Sequence, residues 1–82
     1  MADERLVRKF LTDKAHITVA DCERLLASYG YELRKSGGSH RTYHKNGERP
    51  ITIVSPKNTK YVKRAYVNLV IKQLKLEEFD GN

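Results

Sequence analysis

Apolar residues near the start of the chain recur at helical spacing. Leu6, Val7, Phe10 and Leu11 stand at i, i+1, i+4 and i+5, one face of a short helix from Asp3 to Leu11. Thr12-Asp13-Lys14 ends it. Thr18, with Asp21 three residues on, has the form of a capping box, in which a side-chain oxygen takes up an orphan amide of the first turn. Val19, Cys22, Leu25, Leu26 and Tyr29 then keep helical spacing, and Gly30 stands where a left-handed C-cap belongs. These signals predict a second helix over Val19 to Tyr29.

After Gly30 the period changes from helical to alternating. Tyr31 and Leu33 alternate with Glu32 and Arg34, as in a half-buried strand. Ser36-Gly37-Gly38 reads as a turn and Ser39 to His44 as a second, very polar strand. Asn46-Gly47 is a hairpin signal of type I′, because both central positions of that turn need positive φ. Arg49 to Val54 forms a third strand with Ile51 and Ile53 on one face; Pro50, lacking an amide donor, makes it start late or lie at an edge. Ser55-Pro56-Lys57-Asn58 breaks the pattern. A last helix is predicted from Thr59 or Lys60 to Leu74, its apolar stripe made by Val62, Ala65, Tyr66, Leu69, Val70 and Gln73 or Leu74.

The element order is helix, three antiparallel strands, helix, with an extra helix in front. An α+β fold follows, two helices on one face of a three-stranded sheet, the order also found in double-stranded-RNA-binding domains. The 82 residues allow one domain, divided into an N-terminal helical extension (1–17) and the domain proper (18–80).

Charge changes the picture. Residues 1–33 carry five basic and six acidic side chains, whereas residues 34–75 carry eleven basic and one acidic, Glu48; Glu77, Glu78 and Asp80 make the tail acidic. The net charge of +6 thus hides a concentrated positive field in the middle of the chain. Such a field is the footprint of a phosphate-bearing partner or, more plainly, a solvated basic face. No apolar run is long enough to span a bilayer, and the N-terminus lacks the apolar core of a signal peptide, so no membrane partner and a cytoplasmic location are expected. Cys22 cannot form an internal disulfide and reads as a small buried residue on its helix. No His/Cys/Asp cluster has metal-ligand spacing, and neither a metal nor a cofactor is expected.

The chemistry-bearing stretch is Gly37-Gly38-Ser39-His40-Arg41. It sets a histidine at the start of a strand, beside a glycine turn, inside the basic segment. Along that strand His40, Thr42 and His44 share a face, and Tyr43 points the other way, into the core beside Ile51 and Ile53. RNA hydrolysis needs the 2′-OH proton removed, the leaving 5′-oxygen protonated and the phosphate charge neutralised. Imidazole can move either proton near neutral pH, and Lys and Arg can stabilise the charge. By spacing alone His40 reads first as a surface histidine of a basic hairpin, since a lone strand histidine is more often that than a catalytic group. His44 abuts the next turn, and His16 lies exposed before the capping box.

Tyr29-Gly30-Tyr31-Glu32-Leu33, then Gly38-Ser39-His40, then Ile51-Thr52-Ile53-Val54 and Pro56, then a helix ending Ile71-Lys72-Gln73-Leu74, resembles the HicA (YcfA-like) family over about residues 19–79. No single piece is specific; the order and spacing are. The resemblance implies a toxin of a type II toxin–antitoxin pair, a metal-independent endoribonuclease that cleaves mRNA, with His40 as its catalytic residue. It also implies a HicB-type antitoxin as protein partner, covering the active face. Ser39, Arg41, Lys57, Lys60 and Lys63 are the expected RNA-binding residues, Lys57 and Lys60 flanking the N-terminus of the last helix; Arg34 and Lys35 are further candidates. The chain departs from the family pattern at Ser55-Pro56-Lys57, where many relatives carry a second histidine, at Arg64-Ala65, and in residues 1–17. Two other functions fit the same features. One is an RNA-binding module of double-stranded-RNA type without chemistry. The other is a protein-binding role in which the basic face docks an acidic partner, with the Leu6/Phe10 stripe either making contacts outside the domain or packing onto it.

Overall fold

The computed structural model describes residues 4–78, apart from the side chains of Lys35 and Ser36. Asp3, expected to open the first helix, and Asp80 of the acidic tail lie outside the described residues. Three helices and one sheet follow in the order α1 (Glu4–Thr12), α2 (Val19–Ser28), β1 (Glu32–Gly37), β2 (His40–His44), β3 (Ile51–Val54) and α3 (Arg64–Leu74). Short 3-10 turns at Lys14–His16 and Leu76–Glu78 follow α1 and α3. The sheet is an antiparallel meander in the order β1-β2-β3, so the α+β architecture read from the sequence is the one observed.

The ends of α2 form as its sequence dictates. Asp21 N–H donates to Thr18 Oγ1 and Thr18 N–H donates to Asp21 Oδ2, both at 3.1 Å, a complete capping box. Asp21 Oδ2 also accepts from Lys9 Nζ at 2.8 Å, which ties α1 to the start of α2. Burial pushes the Asp21 carboxyl up, but the Lys9 and Thr18 hydrogen bonds and the Lys9 charge outweigh it, and the group ends below its ordinary value. At the far end Gly30 takes φ 89°, its N–H donating to Ala27 O and the Tyr31 N–H to Leu26 O, the two bonds of a Schellman motif.

One core unites the three helices with β2 and β3. Leu6, Val7 and Phe10 of α1 join Ile17, Cys22, Leu25 and Leu26, the strand residues Tyr43, Ile51 and Ile53, and Val67, Val70 and Ile71 of α3. The Leu6/Phe10 stripe therefore packs onto its own domain. Burial pushes the Cys22 thiol up to about 12, with Asp21 adding to the shift, so the group is an apolar filler with almost no thiolate.

Four local expectations need correction. The last helix starts at Arg64, not at Thr59 or Lys60, because residues 55–63 form an irregular segment that bends at Lys57, Asn58 and Lys60 and is held to the start of α2. Tyr61 there makes an isolated antiparallel bridge with Thr18, and Val62 N–H donates to Ile17 O at 2.7 Å. The buried face also differs from the expected stripe: Val67, Val70 and Ile71 are buried while Ala65 and Leu69 are exposed. The third correction is the Asn46-Gly47 turn. Only Gly47 has positive φ (83°), and Glu48 N–H donates to Lys45 O, so the turn has the pattern of type II inside a longer loop and β3 begins after Pro50. Lastly, Leu33 is 41% exposed although it pairs with the buried Tyr43; the β1–β2 ladder shifts register just after it, between Leu33 and Lys35.

Candidate active site

Gly37 and His40 are the last pair of the β1–β2 ladder, so the turn is Gly38-Ser39 and not the expected Ser36-Gly37-Gly38, and β2 starts at His40 and not at Ser39, because the ladder pairs Ser36 and Gly37. Gly38 takes φ 59° with no other positive φ in the turn, the type II′ pattern that wants glycine first. A Cβ on Gly38 would meet nothing within 4 Å, so conformation and not crowding is what demands glycine. His40 therefore opens β2, the central strand, paired with Gly37 on one side and Val54 on the other. Its side chain is exposed, on the sheet face that the helices leave open. Thr42 shares that face, its Oγ1 3.1 Å from Oγ1 of Thr52 on β3. His44 is exposed at the far end of the strand.

Arg41 and Tyr43 alternate onto the other face, toward α2. Tyr43 O–H donates to Glu23 Oε2 at 2.9 Å, and Arg41 Nη1 donates to the same oxygen at 3.4 Å. Burial pushes the Tyr43 phenol up to about 12; the hydrogen bond and charge of Glu23 add to the shift and Arg41 opposes it. Arg41 is thus turned away from His40 and held by a carboxylate on α2, so the structure does not bring these two sequence neighbours together.

Beside His40 lies an open cavity of about 380 Å³. Ser39, Val54, Ser55 and Pro56 form its near wall, with Lys57, Asn58, Thr59, Tyr61, Lys63 and Tyr66 around the rest. Ser39 precedes His40 in the chain and Val54 is its cross-strand partner, so the cavity lies beside the start of β2, although His40 itself is not among its lining residues. The near wall is fixed by Ser55 N–H, which donates to Ser39 O at 2.6 Å. Most of the lining surface is apolar, and the cations stand around it.

Of the RNA-binding residues expected from the sequence, Ser39, Lys57 and Lys63 meet at this cavity. Lys60 is next to it, its Nζ 5.4 Å from the centre of the Tyr61 ring. Lys57 and Lys60 do not flank a helix start; Lys63 is the N-cap of α3. Arg34 lines a different hollow, with Glu32, His44 and Lys45, at the opposite end of the strand pair. Two aromatic walls, Tyr61 and Tyr66, were not evident as site residues. Tyr66 falls on the helical stripe and so reads as core, and Tyr61 reads as part of a helix that has not yet begun. His16 is exposed, as its sequence position suggests, but Nδ1 lies 2.6 Å from Asp13 Oδ1 and its ring meets Tyr61 edge-on, 5.0 Å between centroids at 85°. Among the described residues, no three His, Cys, Asp or Glu side chains are grouped as metal ligands. No helix among them is long and apolar enough to cross a membrane.

The family model described as HicA toxin of bacterial toxin–antitoxin matches residues 19–76, more than half of the chain. Comparison with curated proteins and with solved structures gives no match.

Proposed function

Because the chain belongs to the HicA toxin family of bacterial toxin–antitoxin systems, we propose that it is a metal-independent endoribonuclease that cleaves mRNA through His40, held in check by a HicB-type antitoxin. The observation that carries this reading is the position of His40: an exposed imidazole on the open sheet face, whose chain neighbour Ser39 and strand partner Val54 line a cavity bearing Lys57 and Lys63.

In the proposed reaction the ribose 2′-oxygen attacks the adjacent phosphorus and the bond from phosphorus to the 5′-oxygen breaks. The products are a 2′,3′-cyclic phosphate and a 5′-hydroxyl. His40 moves one of the two protons, from the 2′-OH or to the leaving oxygen, and water handles the other. Lys57 and Lys63 neutralise the charge that builds on the phosphoryl oxygens. The backbone of His40 is paired on both sides, so the imidazole is presented from a fixed base. One general acid–base supplies only ~10²–10⁴-fold, so a slow enzyme is expected.

The test is cleavage of an mRNA by the protein in the presence of EDTA, beside its His40→Ala variant and a substrate with a 2′-deoxy residue at the cut site. Cutting by the wild type alone, blocked by the 2′-deoxy residue, is the expected result. Full activity on the deoxy substrate would sink the 2′-OH mechanism. The helix, three strands, helix order also supports a second reading, a non-catalytic module for double-stranded RNA. That reading expects salt-sensitive duplex binding that survives His40→Ala, with no cutting by either protein.

A further inference from the structure

We infer that the cavity beside His40 is a nucleobase pocket: it takes one unstacked base of a single-stranded RNA next to the cleaved phosphate, with Tyr61 and Tyr66 as its aromatic walls. This rests on the ribonuclease reading for the placement of the phosphate, but it is argued from different residues.

A phosphate needs cations and amides, not apolar walls. The lining here is mostly apolar, supplied by Val54, Pro56, Tyr61 and Tyr66, with Ser55, Asn58 and Thr59 as the hydrogen-bonding groups. That mixture suits a flat heterocycle with a polar edge. Stacking on an aromatic ring holds any base, and a few polar side chains read its edge. The cations fit the same occupant. Lys57 and Lys63 line the cavity and Lys60 sits over Tyr61, so a base in the pocket has its own phosphates among positive charges. The volume of about 380 Å³ accommodates one base and not a duplex.

Tyr61 is held in place by a segment that precedes the family match. Its backbone bridges to Thr18, the following residue Val62 donates to Ile17 O, and the edge of the His16 ring abuts its side chain. His16 is in turn paired with Asp13. The segment from Asp13 to Thr18 thus acts on the pocket through Tyr61. His16 is a positioning residue and touches no substrate.

The experiment measures binding of the His40→Ala protein to a single-stranded RNA in which an abasic site is walked through the sequence, one position at a time. One position should stand out, with removal of its base weakening binding by about 5- to 100-fold, the worth of one stacked base. Tyr61→Leu should erase that peak and leave the other positions unchanged, and His16→Ala, at an exposed site, should lower it without loss of fold by circular dichroism. A fluorescent 2-aminopurine at the same position should be quenched on binding, a readout that needs no tyrosine variant. A flat abasic profile, or an unchanged peak in Tyr61→Leu, overturns the pocket and leaves the cavity to a protein partner. If the wild type still cuts RNA in that case, the ribonuclease reading stands alone. A clear peak in a protein that never cuts would keep the pocket and remove the ribonuclease.

Discussion

The central strand carries a histidine at each end, and the two ends differ in what surrounds them. His40 and His44 lie on the same strand and the same open face, and both are exposed. Around His44 the neighbours are Gly30, Glu32 and Arg34 of the β1 stretch with Lys45 and Asn46, which together with His44 line a hollow of about 290 Å³. Glu32 is its direct cross-strand partner. A carboxylate at that place repels a phosphate, and the nearest lysine, Lys45, has its Nζ 5.8 Å from the Tyr31 ring centre. Beside His40 the cavity is built by Ser39 and the later stretch from Val54 to Tyr66, its direct partners are Gly37 and Val54, and the charges at the cavity are lysines. Two identical side chains on one strand thus face different chemistries, because the irregular segment before α3 passes one end of the sheet and not the other.

The largest effect that would break this comparison is on cleavage. His40→Ala should lower the rate by ~10²–10⁴-fold, and His44→Ala by no more than a few-fold, in a gel assay on the same mRNA. Equal losses would show that the two ends are equivalent and that the cavity does not select between them. A smaller effect concerns binding. Exchanging Lys57 and Lys63 for Ala should lower the slope of log affinity against log salt by about 0.7 for each phosphate that is no longer neutralised, as expected for single strands. Lys45→Ala, at the other end, should leave the slope unchanged. A slope that responds equally to both ends would spread the RNA over the whole open face.

The smallest effect lies between the ends and should distinguish neither. Tyr43→Phe removes the hydrogen bond to Glu23 and should cost about 1 kcal/mol by urea unfolding, with the His40 rate unchanged. The phenol is held protonated in the fold, its value raised from 10.0 to about 12. That stabilisation is complete below pH 10 and lost as pH rises toward 12. Wild type should therefore lose stability over that alkaline range relative to Tyr43→Phe. A constant difference between the two proteins from pH 9 to pH 12 would contradict the buried, protonated phenol.

Elements whose ends are fixed by local chemistry were legible in the sequence. The Thr18/Asp21 capping box and the Gly30 C-cap bound α2 where their residue types require, since each satisfies orphan groups within a few residues. The alternation of His40, Thr42 and His44 against Tyr43 also held, because strand period is a property of the backbone. The start of α3 was not legible. Val62 and Ala65 continue a plausible stripe, but Val62 N–H is taken by Ile17 O, a bond between distant stretches of chain that no local pattern contains. Arg41 failed as a neighbour of His40 for a related reason. Adjacent strand residues point to opposite faces, and Glu23 on α2 holds its guanidinium there.

By itself the sequence determined the elements, the antiparallel α+β order, the basic segment and the Gly38-Ser39-His40 motif, and its pattern carried the family; the position of the turn, at Gly38-Ser39 and not Ser36-Gly37-Gly38, came with the strand pairing. These depend on periodicity, capping and turn chemistry, which act over a few residues. Only the tertiary structure decided that Ser39, Lys57 and Lys63 meet, that Tyr61 and Tyr66 wall a cavity beside His40, and that Arg41 does not belong to it. A cavity is built by surfaces that the chain brings together from distant positions, and those positions are chosen by burial of the core and not by neighbouring residues.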